Sequence, residues 1–153
     1  MTDAPPDVPE TPGRRVGRWL LALFYAAAGV AHVLFTDAMA RIVPAWVPWD
    51  AREVVLTTGA VELVCAAALL TRKWRLTAGW ALALYALCVW PANVKHAMID
   101  LAWLGGSGTG LSTWYHVPRL LAQPLIIAWA LWAVGAVRVE RGGAARKELS
   151  GRN

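Results

Sequence analysis

The hydrophobic positions of this chain are gathered into long runs instead of alternating with polar positions. Four runs stand out, at residues 19–35, 54–71, 76–94 and 120–137. A helix that crosses a membrane needs about 17–25 mostly apolar residues, because each residue adds 1.5 Å across roughly 30 Å of hydrocarbon. Each run is long enough for one crossing, so the pattern predicts four transmembrane helices.

The composition supports this prediction. Of the 153 residues, 58% are apolar and 16% are charged, whereas a typical soluble domain is about 45–50% apolar and about 25% charged. The runs leave little chain from which a water-soluble core could be built. We therefore expect an all-α fold, a four-transmembrane-helix antiparallel bundle in the cell (plasma) membrane, formed by one domain over residues 16–137.

The basic residues are divided unevenly between the two sides that these crossings define. Eleven Lys and Arg residues lie in the N-terminal stretch, the 72–75 turn and the C-terminal tail, and four lie on the opposite side. Because such residues accumulate on the cytoplasmic side, both termini are expected to be cytoplasmic. The alternative of a cleaved signal peptide is disfavoured, since the first run extends past the usual apolar length of one. The charges lie between the runs and not along a basic helix, so nucleic acid is not an expected partner.

The helix boundaries follow from the runs and from the residues that flank them. The first helix is expected from about Val16 to Phe35, and the later ones over 53–71, from Leu76 toward Leu104, and from about Trp114 to Val137. Residues 1–15 are rich in proline and acidic residues, which leaves little to bury, so they are expected to be a disordered cytoplasmic tail. Residues 138–153 are expected to form a second, basic tail.

The connection over residues 36–52 is apolar but cannot be a regular helix throughout. Pro44 and Pro48 remove backbone donors and fix the backbone, which breaks a helix. Trp46 and Trp49 are suited to anchor the segment at the outer membrane surface, because tryptophan favours that interface. The same segment could instead form a lid over the bundle.

Polar side chains within the runs carry the functional information, because an ionisable group at the centre of a membrane helix costs about 2.5–3.5 kcal/mol. Glu62 lies about 15 Å from the outer end of its helix by residue count. Helical periodicity places Thr58, Glu62 and Cys65 on one face. Clustering in the outer half favours a ligand-binding or proton-handling pocket formed by His32, Glu62, Asn93, His96, Arg119 and Gln123.

Each of these residues also has a structural interpretation, since a polar side chain can join helices by a hydrogen bond of about 0.6 kcal/mol. Arg119 could neutralise Glu62 or extend to the outer phosphates. Burial alone would keep Glu62 neutral, whereas pairing with Arg119 would keep it ionised. The sequence leaves both choices open, and it identifies no catalytic residue.

Motifs of short, fixed spacing that mark metal and haem sites do not occur in the sequence, so no metal site is predicted from them. Cys65 and Cys88 lack the Cys-x-x-Cys spacing of a redox pair. They are expected to be small buried apolar residues.

Five short motifs make the chain similar to the DoxX family of membrane proteins. In chain order they are Gly29-Val-Ala-His32, Ile42-Val-Pro-Ala-Trp-Val-Pro-Trp49, Thr58-Gly-Ala-Val-Glu-Leu63, Pro91-Ala-Asn-Val94, and Pro118-Arg-Leu120 followed by Gln123-Pro124. Val33 stands where relatives often have Phe. The resemblance spans residues 16–137, and it implies four transmembrane helices and a redox-associated role connected with quinone reduction.

Three functions are compatible with these observations. The first is a redox-associated membrane subunit whose pocket binds a quinone-like or other small ligand, with Glu62 handling protons and His32 and Arg119 orienting carbonyl oxygens. The second is a transport or permeation protein for a small solute or ion, which the apolar sequence after Cys65 disfavours. The third is an assembly partner in a membrane complex with no chemistry of its own.

These functions define the expected partners. They are the lipid bilayer, redox or membrane-complex proteins that would supply electrons, and further copies of this chain. A quinone is the cofactor that the first function would use. The sequence assigns no enzymatic activity.

Overall fold

A computed structural model of the chain describes residues 10–101 and 113–137, and within these ranges it contains five α-helices and no strand. The helices are α1 (Pro12–Leu34), α2 (Thr36–Ala40), α3 (Ala51–Leu69), α4 (Arg75–Asp100) and α5 (Thr113–Ala133). The predicted all-α class is therefore confirmed, and the four long helices correspond to the four apolar runs. Of the described helices, α1 and α4 are long and apolar enough to cross a membrane.

The first helix begins at Pro12, four residues before the expected Val16. The Thr11 side chain accepts a hydrogen bond from the backbone N–H of Arg14 at 3.4 Å, and Pro12 has no backbone N–H that would be left unpaired in the first turn. Residues 12–15 are thus helical, although we expected them in the disordered tail. The rest of that expectation stays a prediction, because residues 1–9 and 138–153 lie outside the described ranges.

The segment between α1 and α3 is partly helical. The short helix α2 precedes the two prolines, and the chain from Arg41 to Asp50 is non-helical, as Pro44 and Pro48 predict. Asp50 then begins α3 by accepting hydrogen bonds from the backbone N–H groups of Arg52 at 2.9 Å and Glu53 at 3.2 Å. This segment is also joined to α4, because Lys95 Nζ donates to the carbonyl of Val43.

The four long helices form a ring in which α1 packs against α3 and α5, and α4 packs against the same two helices. Glycines allow α1 and α3 to approach closely. A Cβ atom on Gly59 would lie 2.6 Å from His32 Cβ, and one on Gly29 would lie 2.8 Å from the carbonyl oxygen of Gly59. Close backbone approach through small residues is the usual basis of helix packing in membranes.

We call the end of the bundle where α1 begins the terminal end, and the other the loop end. At the terminal end the buried Arg18 donates to the carbonyl of Leu69 at 2.6 Å and to Glu10 Oε1 at 2.9 Å. Arg75 Nη1 lies 3.4 Å from Glu10 Oε2. These contacts join α1, α3 and α4 and leave the polar residues of the predicted pocket toward the middle and the loop end.

Candidate functional site

Glu62 and His32 form a close pair inside the bundle. Glu62 is only 4% exposed, and its Oε2 lies 3.0 Å from His32 Nδ1. The same nitrogen is 2.9 Å from the carbonyl oxygen of Ala28. Because a carbonyl oxygen can only accept, Nδ1 carries the hydrogen, and Nε2 of a neutral His32 is left with a lone pair.

The Nδ1–H group of His32 is directed at Ala28, so Glu62 Oε2 has no hydrogen-bond donor among the described residues. Two tyrosines lie beside this carboxylate. Tyr85 interacts with Glu62 and Thr58, and the rings of Tyr25 and Tyr85 are 6.3 Å apart. A buried carboxylate oxygen without a donor is costly. The Glu62 site is therefore suited to receive a proton or a hydrogen bond from a further molecule.

The bundle is sealed on the terminal side of this pair. Cys65 is buried one turn from Glu62, and beyond it the side chains of Leu21, Leu69 and Leu82 are each 0% exposed. These leucines come from α1, α3 and α4, and they belong to one apolar cluster that also includes Ala130 and Ala133 of α5. The Glu62 site is thus closed toward the terminal end.

Asn93 and Gln123 form a second pair, between α4 and α5. Asn93 Nδ2 donates to Gln123 Oε1 at 3.2 Å, and Gln123 Nε2 donates to the carbonyl of Ala86 at 2.5 Å. This contact lies beside Pro91, which removes a backbone hydrogen bond of α4. Both amides have partners, so the pair is suited to joining the two helices.

A third group of polar side chains lies at the loop end of α4 and α5. Asp100 Oδ2 is 2.9 Å from His116 Nε2 and 3.2 Å from His96 Nε2. On the other side of the His96 ring, Arg119 Nη1 donates to Nδ1 at 2.8 Å, and the guanidinium is 5.8 Å from the centre of the Tyr115 ring. We call His96, Asp100 and His116 the loop-end cluster.

The six residues of the predicted pocket are therefore distributed over three pairs: His32 with Glu62, Asn93 with Gln123, and His96 with Arg119. Within the described ranges no ion pair joins Glu62 to Arg119. Tyr85 and Asp100 were not among the predicted site residues. The sequence spacing could have identified Asp100, because it is four residues after His96 and so lies on the same face of the helix.

The two cysteines lie in different surroundings. Cys65 is buried, as expected, whereas Cys88 is exposed on the surface of α4. The expectation that both are buried was wrong for Cys88, because an apolar residue of an apolar helix can face outward as well as inward.

The described residues form an all-helical fold in which α1 and α4 are long and apolar enough to cross a membrane. Comparison with known families is more specific. Residues 21–134 match the family described as "Domain of unknown function (DUF8561)". The match covers more than half of the chain, so the protein belongs to this family. No significant match was found among curated proteins or solved structures.

This family membership corrects the resemblance to the DoxX family, which was wrong. The motifs that suggested it are short, and the structure gives several of them a general packing role. Gly29 and Gly59 allow two helices to approach, and Gln123 joins α5 to α4. Such requirements arise in unrelated helix bundles, so the motifs do not identify a family.

Proposed function

We propose that this chain is a four-span integral membrane protein that binds a small, hydrogen-bond-donating ligand at Glu62 and His32, reached from the loop end of the bundle. The observation that carries this proposal is Glu62 Oε2, which is buried within the bundle with no donor among the described residues.

The surface of the bundle supports a membrane location. Large apolar side chains are exposed along all four long helices, including Leu23 at 67%, Val64 at 68%, Leu84 at 62% and Leu125 at 70%. In an apolar stretch of 18 residues in each helix, only 33% of the residues of α1 and 28% of those of α4 are buried within the protein. The core helix of a soluble protein would be mostly buried. The exposed apolar faces of α1 and α4 therefore favour contact with lipid.

The helices α3 and α5 complete the four spans of the proposal. The 19 residues of α3 extend about 28 Å at 1.5 Å per residue, which is close to the hydrocarbon thickness of roughly 30 Å. Three polar side chains of α3 and α5 are buried within the bundle: Glu62, His116 and Gln123. An uncleaved α1 agrees with this arrangement, because Arg18 of α1 is fixed to Leu69 of α3.

The nature of the ligand follows from the donors and acceptors at the site. If Glu62 is ionised, Oε2 accepts, so the ligand must offer a hydroxyl or ammonium hydrogen. A quinol head group has hydroxyls of this kind, whereas the oxidised quinone offers only carbonyl acceptors. The apolar outer faces of α1 and α3 would accommodate a lipid-soluble tail. We therefore propose a quinol-like ligand.

Transport through the bundle is the less favoured function. A path from Glu62 to the terminal end would require Leu21, Leu69 and Leu82 to separate, and all three are fully buried. In a water-filled path each of these side chains would be exposed to water, at a free-energy cost of about 1.5–3 kcal/mol per side chain. Binding from one side requires no such opening.

Ligand binding can be tested with the full chain in lipid nanodiscs, using decylubiquinol and decylubiquinone as probes. We expect decylubiquinol to bind to the wild type. Glu62→Gln should lower the affinity for decylubiquinol about tenfold or more, since a hydrogen bond to a charged group contributes about 1.5–3 kcal/mol. The matched control is Glu53→Gln, which removes an exposed carboxylate from the first turn of the same helix. Equal decylubiquinol affinity in Glu62→Gln and the wild type, or no binding to the wild type, would contradict the proposed ligand.

The proposed topology has its own test. Single cysteines at positions 107 and 150, in a background with Cys65→Ala and Cys88→Ala, can be labelled on intact cells with a membrane-impermeant thiol reagent. The uneven distribution of basic residues predicts labelling at 107 and not at 150. The reverse pattern, or labelling at both positions, would overturn the four-span arrangement with cytoplasmic termini.

A further inference from the structure

The loop-end cluster has a chemistry that the Glu62 site does not use. We propose that His96, Asp100 and His116 bind one divalent transition-metal ion between the ends of α4 and α5. This proposal is independent of the ligand proposed at Glu62, because the two sites share no residue. It departs from the sequence expectation of no metal site, which rested on motifs with short fixed spacing.

The geometry of the donor atoms supports a single shared ion. One possible ligand atom from each of His96, Asp100 and His116 lies within 4.8 Å of the other two. Ligands of a tetrahedral Zn²⁺ at about 2.0–2.2 Å are separated from each other by roughly 3.3 Å. The observed nitrogen-to-oxygen separations of 2.9 and 3.2 Å need to widen by only a few tenths of an ångström.

The positions of these donors are set by the helices. His96 and Asp100 are four residues apart on α4 and so lie on one face. His116 is in the first turn of α5 and is 1% exposed, and its ring centre is 5.0 Å from that of His96. A ligand set from two helices can hold an ion rigidly, because the packing of the helices fixes its members before the ion arrives.

The donor types indicate the class of metal. Two imidazole nitrogens and one carboxylate suit Zn²⁺, Fe²⁺, Co²⁺ or Ni²⁺, whereas Mg²⁺ and Ca²⁺ prefer oxygen ligands. Three protein ligands leave a further coordination position for water or another small ligand.

Arg119 is expected to oppose the ion. It donates to His96 Nδ1, so that nitrogen holds a lone pair and Nε2 holds the hydrogen. Coordination through Nε2 moves the hydrogen to Nδ1, where it would face the guanidinium. Arg119 must then withdraw, and the Tyr115 ring beside it offers a place for the displaced guanidinium. Arg119 therefore acts as a built-in competitor of the metal.

The test measures Zn²⁺ binding to the full chain in nanodiscs after chelator treatment, with Co²⁺ as the spectroscopic probe and Mg²⁺ as the comparison ion. We expect one Zn²⁺ per chain and a Co²⁺ absorption spectrum typical of nitrogen and oxygen ligands. His96→Gln and Asp100→Asn should each weaken Zn²⁺ binding about 100-fold or more, because even the loss of an outer-shell partner costs about 10–100-fold. The matched control is Asp37→Asn, which removes an exposed carboxylate near the same end.

Arg119→Gln distinguishes a metal site from a structural network. Gln removes the opposing charge and offers an acceptor for Nδ1–H, so Zn²⁺ affinity should rise several-fold. An unchanged or lower affinity in Arg119→Gln would overturn the competitor role. Absence of stoichiometric Zn²⁺ binding to the wild type, or binding that survives both His96→Gln and Asp100→Asn, would overturn the site itself.

Discussion

The Glu62 site and the loop-end cluster both combine histidine with a carboxylate, but their hydrogen bonding differs. Asp100 Oδ2 lies close to ring nitrogens from two helices, at 2.9 and 3.2 Å. Glu62 Oε2 lies 3.0 Å from one ring nitrogen, whose hydrogen is directed at Ala28. Donors converge on Asp100 Oδ2, whereas Glu62 Oε2 has no donor among the described residues.

The difference follows from the helices that carry each site. The Glu62 site lies where glycines bring α1 and α3 together. The His32 ring is held close to α1, and its Nδ1–H group donates to the carbonyl of Ala28 on the same helix. The loop-end cluster lies where α4 ends and α5 begins, and side chains from both helices can converge on one point. The same residue types therefore acquire different chemistry from the local spacing of the helices.

The largest effect is expected from closing the space between α1 and α3. Gly59→Leu should lower the free energy of unfolding by about 3 kcal/mol, because overpacking a tight contact costs about 1–3 kcal/mol and a Cβ there would lie 2.6 Å from His32 Cβ. The measurement is unfolding in mixed detergent micelles.

Gly13→Leu is the matched control for this change, since a Cβ on Gly13 has nothing within 4 Å. It should leave stability unchanged or slightly higher. If Gly59→Leu were as stable as Gly13→Leu, the close approach of α1 and α3 could not be what shapes the Glu62 site.

The next largest effect compares the two carboxylates directly. With a chelator present, Asp100→Asn should destabilise the protein by about 2 kcal/mol, since hydrogen bonds to charged groups contribute about 1.5–3 kcal/mol. Glu62→Gln should change stability by less than about 1 kcal/mol, because the carboxylate oxygen lost has no donor. A larger loss in Glu62→Gln than in Asp100→Asn would reverse the comparison.

A smaller effect is expected between the two sites, where Gln123 joins α5 to α4. Gln123→Leu should cost about 1 kcal/mol, since hydrogen bonds between membrane helices average about 0.6 kcal/mol and reach about 1.7. A double-mutant cycle with Asn93→Leu should give a coupling energy of about 0.6 kcal/mol. A coupling energy near zero would show that the Asn93–Gln123 contact adds nothing to helix association.

The smallest effect is expected from the cysteines. Replacing Cys65 and Cys88 with Ala together should lower stability by less than about 1 kcal/mol, the contribution of roughly one buried methylene-sized group, and leave decylubiquinol affinity unchanged. Cys65 is the closer of the two to Glu62. Lost affinity in the double variant with a normal unfolding profile would add Cys65 to the Glu62 site.

The sequence alone predicted the helices well, because each depends on neighbouring residues. Long apolar runs specify helices, and Pro44 and Pro48 exclude one between α2 and α3. The start of α1 was misplaced because a Pro-containing stretch was assigned to the tail, although proline is well accommodated in a first helical turn.

The pairing of polar side chains was decided only by the tertiary structure. Periodicity shows that His96 and Asp100 share a face, but it does not give the rotation or the vertical offset of one helix against another. Arg119 accordingly contacts His96 and not Glu62, since a shift of one helical turn, about 5.4 Å, exceeds the reach of a hydrogen bond. Spacing along the chain thus determined the helices and their faces, whereas the contacts between faces arose from packing at Gly29, Gly59 and Gln123.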